Sequence, residues 1–527
     1  MGKIARYLNQ LTIGNVFDSA DVLDAYSTDR SVLKIRPRLV ALPESTDDIR
    51  RLMRFCYQLA AKNIKIPVTV RGSGLDETGA DLGNGLVIST EKLNHLLEAD
   101  KRERLVRVQA GITLKELNTA LSVNGLTIPV GGHEMETIGG LISNSPVDDY
   151  AGKYGGIMNY VDKIEVVLPN GDILQTNRLG GRALGKKINE KTLEGSLYRK
   201  IRELTVNNTQ LINDIREKKP GHRGYTNVSR AYYKKTLDIM PLFFGAQGTL
   251  GVITEVILRA VPIEHAPKRV VATFENFVDA EKFLDVAKSL QPLRLDIYDI
   301  KIIRTAEETG KRLSEITKNM EKGFVVYAEY DKRRSKCLNA LARERSKLPA
   351  QSQLIIESPK TVVTLNEFEN SLLSFLNNTR TTERPAVVTD FSIPARHVTS
   401  FINDLEVVGK GLGLDLALYG SYATANYHLR PKFKVEDEDF NKKATAFLRA
   451  GAYIIRRQGG SLTGGAPEGR VKAIVTNEEI PGAEKAIYLE LKKAFDKYDI
   501  MNPAVKLGAD ARFTLRHFRN EAAKITV

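Results

Sequence analysis

Cysteine is scarce here: Cys56 and Cys337 are the only two in 527 residues, far apart and in no metal-ligand spacing. A disulfide framework and a thiolate zinc site are therefore excluded. Long apolar runs are also missing. No stretch approaches the roughly 20 consecutive apolar residues that cross a bilayer. The start, Met1-Gly2-Lys3-Ile4-Ala5-Arg6, has no signal-peptide core, and Arg6 stands where a myristoylation site needs Ser or Thr. A cytoplasmic protein is expected. Nothing repeats with a period of roughly 20 to 50 residues, which removes solenoids and propellers. The net charge of +14 comes from Lys and Arg spread among Asp and Glu, without an RNA-binding signature, a zinc finger or a long basic tract. Nucleic acid is therefore not an expected partner. One basic, partly apolar segment remains, the tail with Arg512, Phe513, Leu515, Arg516, Phe518, Arg519 and Lys524. It reads as a solvated terminal helix and leaves peripheral contact with the inner face of an anionic membrane open.

With 42% hydrophobic and 27% charged residues, the chain can build two or three packed cores. Strands and helices alternate. Leu39–Leu42 reads as a strand, Ser45 caps a helix carrying Ile49, Leu52, Met53 and Cys56, and Val68-Thr69-Val70 runs into Arg71-Gly72-Ser73-Gly74. Strands at Leu86–Ser89 and Val106–Val108 precede a helix from Thr113 to Ser122. From Ala266 to about Leu418 glycine thins out and strand-helix-strand units follow: Val270–Thr273, a helix around Phe277, Phe283, Leu284 and Ala287, and Leu295–Tyr298. Further strands at Phe324–Glu329 and Ala386–Phe391 suggest a separate domain of antiparallel sheet with helices on one face.

Three glycine-rich segments carry the chemistry. A glycine turn after a strand exposes consecutive main-chain N–H groups that no side chain shields, as close approach of a phosphate requires. Gly72, Gly74 and Gly79 form the first such turn. It is not a Rossmann fingerprint, because Ala80-Asp81-Leu82-Gly83-Asn84-Gly85 is a poor helix and leads into a strand. An ordinary tight turn explains it equally well. The second segment, Thr137-Ile138-Gly139-Gly140-Leu141-Ile142-Ser143-Asn144, reads as a loop able to line a flat polar ligand. The third, Phe244-Gly245-Ala246-Gln247-Gly248-Thr249-Leu250-Gly251-Val252-Ile253, reads as a glycine turn entering a buried strand, or as a tight hairpin.

Together the three segments resemble the FAD-binding fold of the vanillyl-alcohol oxidase and para-cresol methylhydroxylase superfamily, most closely its D-lactate dehydrogenase and glycolate oxidase branch. The resemblance runs from about Tyr26 to Lys506. It implies an α+β protein: a two-part FAD-binding domain over residues 1–262, an α+β cap of antiparallel sheet and helices over 263–478, and a helical segment, 479–527, returning to the FAD domain. By resemblance, Arg71, Gly72, Ser73, Gly74, Leu75 and Asp76 take the pyrophosphate. Thr137, Gly139, Gly140, Asn144, Tyr154 and Gly155 lie beside pyrophosphate and isoalloxazine. Gly248, Thr249, Gly251 and Ile253 meet adenine and ribose, and Asn502 matches a position near the flavin ring, or else is a helix stop before Pro503. Members that link flavin covalently through the first loop carry histidine where Leu75 stands, so FAD is expected to be non-covalent.

The branch departs where substrate is handled. Its Gly-His-x-Gly-Asp-Gly-Asn-x-His reads Gly420-Ser421-Tyr422-Ala423-Thr424-Ala425-Asn426-Tyr427-His428 here, and Gly465-Ala466 replaces a Glu-His pair. Only His428 survives from the expected metal ligands, so no metal is expected. Oxidising a hydroxyl carbon with flavin needs a base and a place for developing charge. His428 is the candidate base, Arg470 the candidate clamp for a carboxylate or phosphate, and Tyr422 a further polar candidate. A structural histidine and an internal salt bridge are the plain alternatives for the first two. The Pro146-Val147-Asp148-Asp149 stretch, small in the family, is expected to turn its carboxylates to solvent or substrate, and His133 reads as a turn residue. The expected activity is oxidation of a small hydroxy acid or alcohol, with a quinone, dioxygen or a protein carrier as electron acceptor. A sugar oxidase and a non-catalytic flavin-binding relay subunit stay open as alternatives. The purified protein is expected to be yellow and to release its colour into the supernatant on denaturation; colour kept in the pellet would mean a covalent link.

Overall fold

The computed structural model describes residues 2–519, apart from 219–220, 265–266, 309–314, 334, 345–346, 350, 378–383 and 434–438. Ala266 and Lys524 lie outside the described residues. The N-terminal half holds two sheets. In the first, Leu39–Leu42, Leu86–Ser89 and Val68–Arg71 are parallel neighbours, with Asn15–Phe17 antiparallel at the edge. Leu86–Ser89 is buried throughout because both faces of this parallel core are covered. The helix Thr46–Ala60 packs on it through Ile49, Leu52, Met53 and Cys56, and the Ser45 hydroxyl caps it by accepting from Asp48 N–H. Burial pushes the Cys56 thiol up to about 12, so it is a core side chain without reactivity.

The second sheet is five-stranded and antiparallel, with Val252–Arg259 at its centre between Leu105–Gln109 and Val161–Val167. The third glycine segment therefore feeds the middle strand of this sheet. The second segment differs from the expected loop: Ile138–Asn144 is helical, started by Thr137, whose Oγ1 accepts from Gly140 N–H. Gly139 lets this turn lie on Ala110, where a Cβ would come within 2.9 Å of the alanine methyl.

The cap is a seven-stranded antiparallel sheet in the order Gln353–Ile356, Lys268–Phe274, Phe324–Tyr330, Arg294–Asp299, Asp415–Ser421, Asn426–Lys432, Val388–Ser392. Helices cover both of its faces rather than the one expected. Phe277–Ser289, Val398–Leu412 and Phe440–Arg457 pack on one side, Ile300–Glu308 and Val362–Asn377 on the other. The reason is in the strands: Phe324–Tyr330 is buried at nearly every position, so neither face can meet water.

The tail is held inside the fold, which corrects the expectation of a free amphipathic helix. Phe518 is buried, Phe513 and Leu515 pack against the cap core, and Arg519 Nη2 donates to the carbonyls of Asp29 and Ser31. Phe518 is thus spent on internal contacts, and Phe513 and Leu515 partly so.

The C-terminal helix Gly482–Phe495 adds Ile487, Tyr488, Leu491 and Phe495 to the core around the five-stranded sheet. The chain then crosses to the first sheet, with Val68 N–H donating to Ile500 O and Asn502 N–H to Val68 O. The buried Asn502 carboxamide makes four hydrogen bonds. Nδ2 donates to Ala80 O at 2.6 Å and to Gln247 O at 2.8 Å, while Oδ1 accepts from Thr69 Oγ1 and Arg470 Nη2, each at 3.1 Å. Removing it strands two carbonyls and two donors in the interior. Asn502→Ala is expected to lower stability by on the order of 3 kcal/mol or more, read from the urea midpoint, whereas Ala at exposed Asn124 should shift it by less than about 0.5 kcal/mol.

Candidate functional site

The glycine segments meet at one cavity. Its lining includes Gly72, Ser73, Gly74, Leu75 and Asp76 from the first segment, Thr137, Gly139, Gly140 and Asn144 from the second, and Gly248, Gly251 and Ile253 from the third. Each loop approaches its neighbour too closely for a side chain. A Cβ on Gly72 would lie 2.3 Å from Thr137 Oγ1, and one on Gly74, which has φ +70°, 2.2 Å from Arg71 Nη2. Gln247 knits the segments together: its Nε2 donates to Asn144 Oδ1 and Thr78 Oγ1, and its Oε1 accepts from Gly469 N–H.

Other expected cofactor residues stand behind the wall or away from it. Arg71 is buried, donating to Thr28 O at 2.9 Å and lying 3.7 Å from Asp81. Thr249 hydrogen-bonds Tyr225, and Asn502 holds the loops from behind. Tyr154 donates to Glu264, and Gly155 packs on Asn159; neither lines the cavity. Asp76 shapes its own loop, accepting from the amides of Thr78 and Ala80 and from Asn144 Nδ2. With Asp29 and Asp81 it forms a buried carboxyl trio. Burial, then the neighbouring carboxylates, raises Asp76 to about 6 and Asp29 well above its ordinary value, so these two retain protons where exposed carboxyls have lost them.

Two of the three expected catalytic side chains face elsewhere. Arg470 donates to Leu82 O, Pro503 O and Asn502 Oδ1, three contacts that leave the fork no reach for a ligand. Tyr422 sits in the cap core with its hydroxyl donating to Asp285 at 2.8 Å. His428 stacks on Tyr419 with ring centroids 4.6 Å apart, and its Nδ1 accepts the main-chain N–H of Asp390 at 3.4 Å. The neutral ring therefore carries its proton on Nε2, which lies 4.0 Å from Asp390 Oδ1. The missing family groups have been filled in. A Cβ at Gly465 would fall 2.0 Å from Asn426 Oδ1, so the Asn426 carboxamide occupies the space of the absent glutamate and donates to Val147 O and Asp390 Oδ1. Glu77, Asp390 and His428 bring three acceptor atoms within 4.8 Å of one another, and Glu77 is already paired with Arg430 at 2.6 Å.

Several groups escaped the sequence reading. Asp390 sits at a bulge with φ +52°, its carbonyl accepting from Gly465 and Ala466 and its carboxylate held low, against burial, by His428, Lys472 and Asn426. Burial lowers Lys472 to about 8, and its ammonium donates to Thr389 O and Ala466 O. Glu468 and Lys506 form a fully buried ion pair at 2.6 Å. Asp149 is partly exposed to solvent and pairs with Arg294 of the cap at 3.0 Å, while Asp148 is buried and accepts from Tyr150 N–H. His133 accepts from Met135 N–H within its turn. Glu136 and Gln247 lie beside or inside the glycine segments and were findable there; Asp390, isolated in a strand, carried no signal.

Residues 37–177 match the family described as FAD binding domain, and residues 264–505 match FAD linked oxidases, C-terminal domain. Curated relatives include a D-2-hydroxyglutarate dehydrogenase of Pseudomonas putida, 23% identical over 90% of this chain and 49% of that protein. A glycolate oxidase subunit GlcD of Bacillus subtilis is 24% identical over 90% of both chains. A D-lactate dehydrogenase of Archaeoglobus fulgidus is 24% identical over 91% of this chain and 95% of that one. The chain thus spans about half the length of the first and nearly all of the other two. Among solved structures, a 4-ethylphenol oxidase from Gulosibacter chungangensis superposes with a TM-score of 0.64 at 15% identity, covering 94% of this chain and 95% of that one. An alkyldihydroxyacetonephosphate synthase superposes with 0.61 at 16%, covering 93% and 83%. These two show the fold alone.

The cavity fits FAD by its own chemistry. Its walls are glycine main chain and small polar side chains, with Val70, Ala80, Ala110, Leu141 and Ile253 as apolar surface. Leu75 offers no nucleophile for a covalent link. Gly72→Val is expected to weaken FAD binding by roughly tenfold or more, read by flavin fluorescence titration. Gly185→Ala, on a helix with open space around it, should leave affinity unchanged.

Proposed function

We propose, from the premise that this chain belongs to the FAD-linked oxidases, that it oxidises the CH–OH carbon of a small hydroxy acid or alcohol. The observation that carries the reading is the convergence of three glycine segments on one cavity whose wall also holds Glu136, a carboxyl group within electrostatic reach of Asp390 in the cap. The relatives' names, for D-lactate, D-2-hydroxyglutarate and glycolate, support a 2-hydroxy acid. Bound FAD supplies a two-electron acceptor for a hydride. The main chain of Gly72–Leu75 and Gly139–Gly140 would hold it, with Ile253 alongside. The Asn426–Val147 and Arg294–Asp149 contacts tie the cap to the FAD domain. Such ties hold cap and FAD domain in register around a reacting carbon.

The reaction runs without a metal. Ser421, Gly465 and Ala466 supply no ligand in place of the family's groups, and Glu77 and His428 are engaged by Arg430 and the Asp390 amide. A second reading, a flavin-binding relay subunit without turnover, draws on Asn426 in the space of the missing glutamate and on the internal engagement of Arg470 and Tyr422. Anaerobic mixing of the holoprotein with D- and L-2-hydroxy acids and with sugars separates the readings. Bleaching of the flavin band by a 2-hydroxy acid is expected, at a rate that exhaustive chelation changes by less than about twofold. Bleaching by sugars alone makes it a sugar oxidase. Bleaching by dithionite and by no alcohol makes it a relay.

A further inference from the structure

Glu136 belongs to no assigned role, yet it lines the cavity directly before Thr137. Its main chain is pinned on both sides, N–H donating to His133 O at 2.8 Å and O accepting from Leu114 N–H at 2.9 Å. Its Oε2 is buried without a hydrogen-bond partner among the described residues, and it lies over Gly132, where a Cβ would come within 2.7 Å. A buried carboxyl oxygen left unpaired costs about 1–3 kcal/mol, a cost that a substrate hydroxyl at this point would remove.

The rival acceptors of a proton are occupied. His428 presents Nε2–H, its Nδ1 lone pair being taken by the Asp390 amide. The Asp390 carboxylate is held ionised by His428, Lys472 and Asn426 and is a weak base for that reason. Lys472 spends its protons on two carbonyls, and Asp148 Oδ1 accepts from Tyr150 N–H. We propose that Glu136 is the catalytic base that receives the hydroxyl proton of the substrate, in place of the histidine whose position is Ala466 here. This rests on the dehydrogenase reading. In the step, the O–H bond breaks and its proton passes to the Glu136 carboxylate, giving a carboxylic acid. The C–H bond breaks with its electron pair, received as hydride by FAD, and C–O becomes C=O. The Glu136 proton then returns to water.

The surroundings suit the role. Burial raises Glu136 to about 8; the Arg30 charge and the His133 amide pull it down, and Asp390 and Asp148 push it up. Asp149 acts in turn on Asp148. A carboxylate of such affinity is a far stronger base than an exposed one and works near neutral pH. Because the ionised form is the base, flavin reduction should rise with pH and level off above about 8.

The deciding experiment uses holoprotein, wild type and Glu136→Gln, with FAD content checked from the visible spectrum. Anaerobic stopped-flow with the bleaching hydroxy acid should show Glu136→Gln slower by roughly 10²–10⁴-fold with its pH dependence flattened. A second reading needs no turnover. Infrared pH-difference spectra of the substrate-free holoprotein should show protonated-carboxyl absorption titrating between about pH 6 and about pH 10, of which Glu136→Gln loses one component while that of other buried carboxyls such as Asp29 and Asp296 persists. Should Glu136→Gln lose FAD, Glu136→Asp replaces it, keeping a titrating band and slowing reduction by about tenfold or more. An unchanged rate in the substituted protein, or infrared absorption in Glu136→Gln that has lost no component, overturns the assignment while leaving the dehydrogenase intact. Wild-type flavin that no alcohol bleaches overturns the dehydrogenase reading and the base with it.

Discussion

The Asn502 carboxamide is the junction on which the cavity depends. Its four hydrogen bonds join Val68–Arg71 and the nearby turn at Ala80 to the Gln247 turn and to Arg470, which lie far along the chain. Gln247 extends the same network to Asn144 and Thr78. Glycine loops are poor at holding themselves, since each glycine gives up more freedom on folding than any other residue. Here their order comes from side chains behind them. Arg470 serves that purpose, its guanidinium donating to two main-chain carbonyls and to Asn502. The residue that looks most like a substrate clamp is thus a strut of the cofactor site.

The cap meets the cavity through a set of carboxyl, amide and ammonium groups whose charges answer one another. Asp390 is drawn toward its ionised form and Glu136 toward its neutral form, although both are buried. The difference lies in neighbours: Asp390 faces His428, Lys472 and Asn426, whereas Glu136 faces two further carboxylates against one arginine. Where the branch carries glutamate, Gly465 stands here and the Asn426 carboxamide lies where its side chain would begin, 2.0 Å from a Cβ placed on Gly465.

The cofactor region was legible in the sequence for a physical reason. Backbone with positive φ and loops in close contact admit glycine and little else, so Gly72, Gly74, Gly139 and Gly248 had to be written into the chain. Strands such as Leu86–Ser89 and Phe324–Tyr330 were readable because a buried face demands apolar residues at a fixed period. The second glycine segment was read as a loop and is a short helix, since Thr137 can cap as readily as it can bind.

What the sequence determined by itself is the fold class and the FAD-binding family, both carried by the glycine segments. What only the tertiary structure decided is the direction of each polar side chain at the reacting end. Arg470, Tyr422 and His428 carry the right chemistry, but their partners, Leu82, Asp285 and the Asp390 amide, come from distant segments. Glu136 gains its character from burial and from Asp390 and Asp148, which no local pattern places beside it. Backbone constraints are local and leave their mark in the letters, whereas the charge state and aim of a side chain are set by neighbours that only folding brings together.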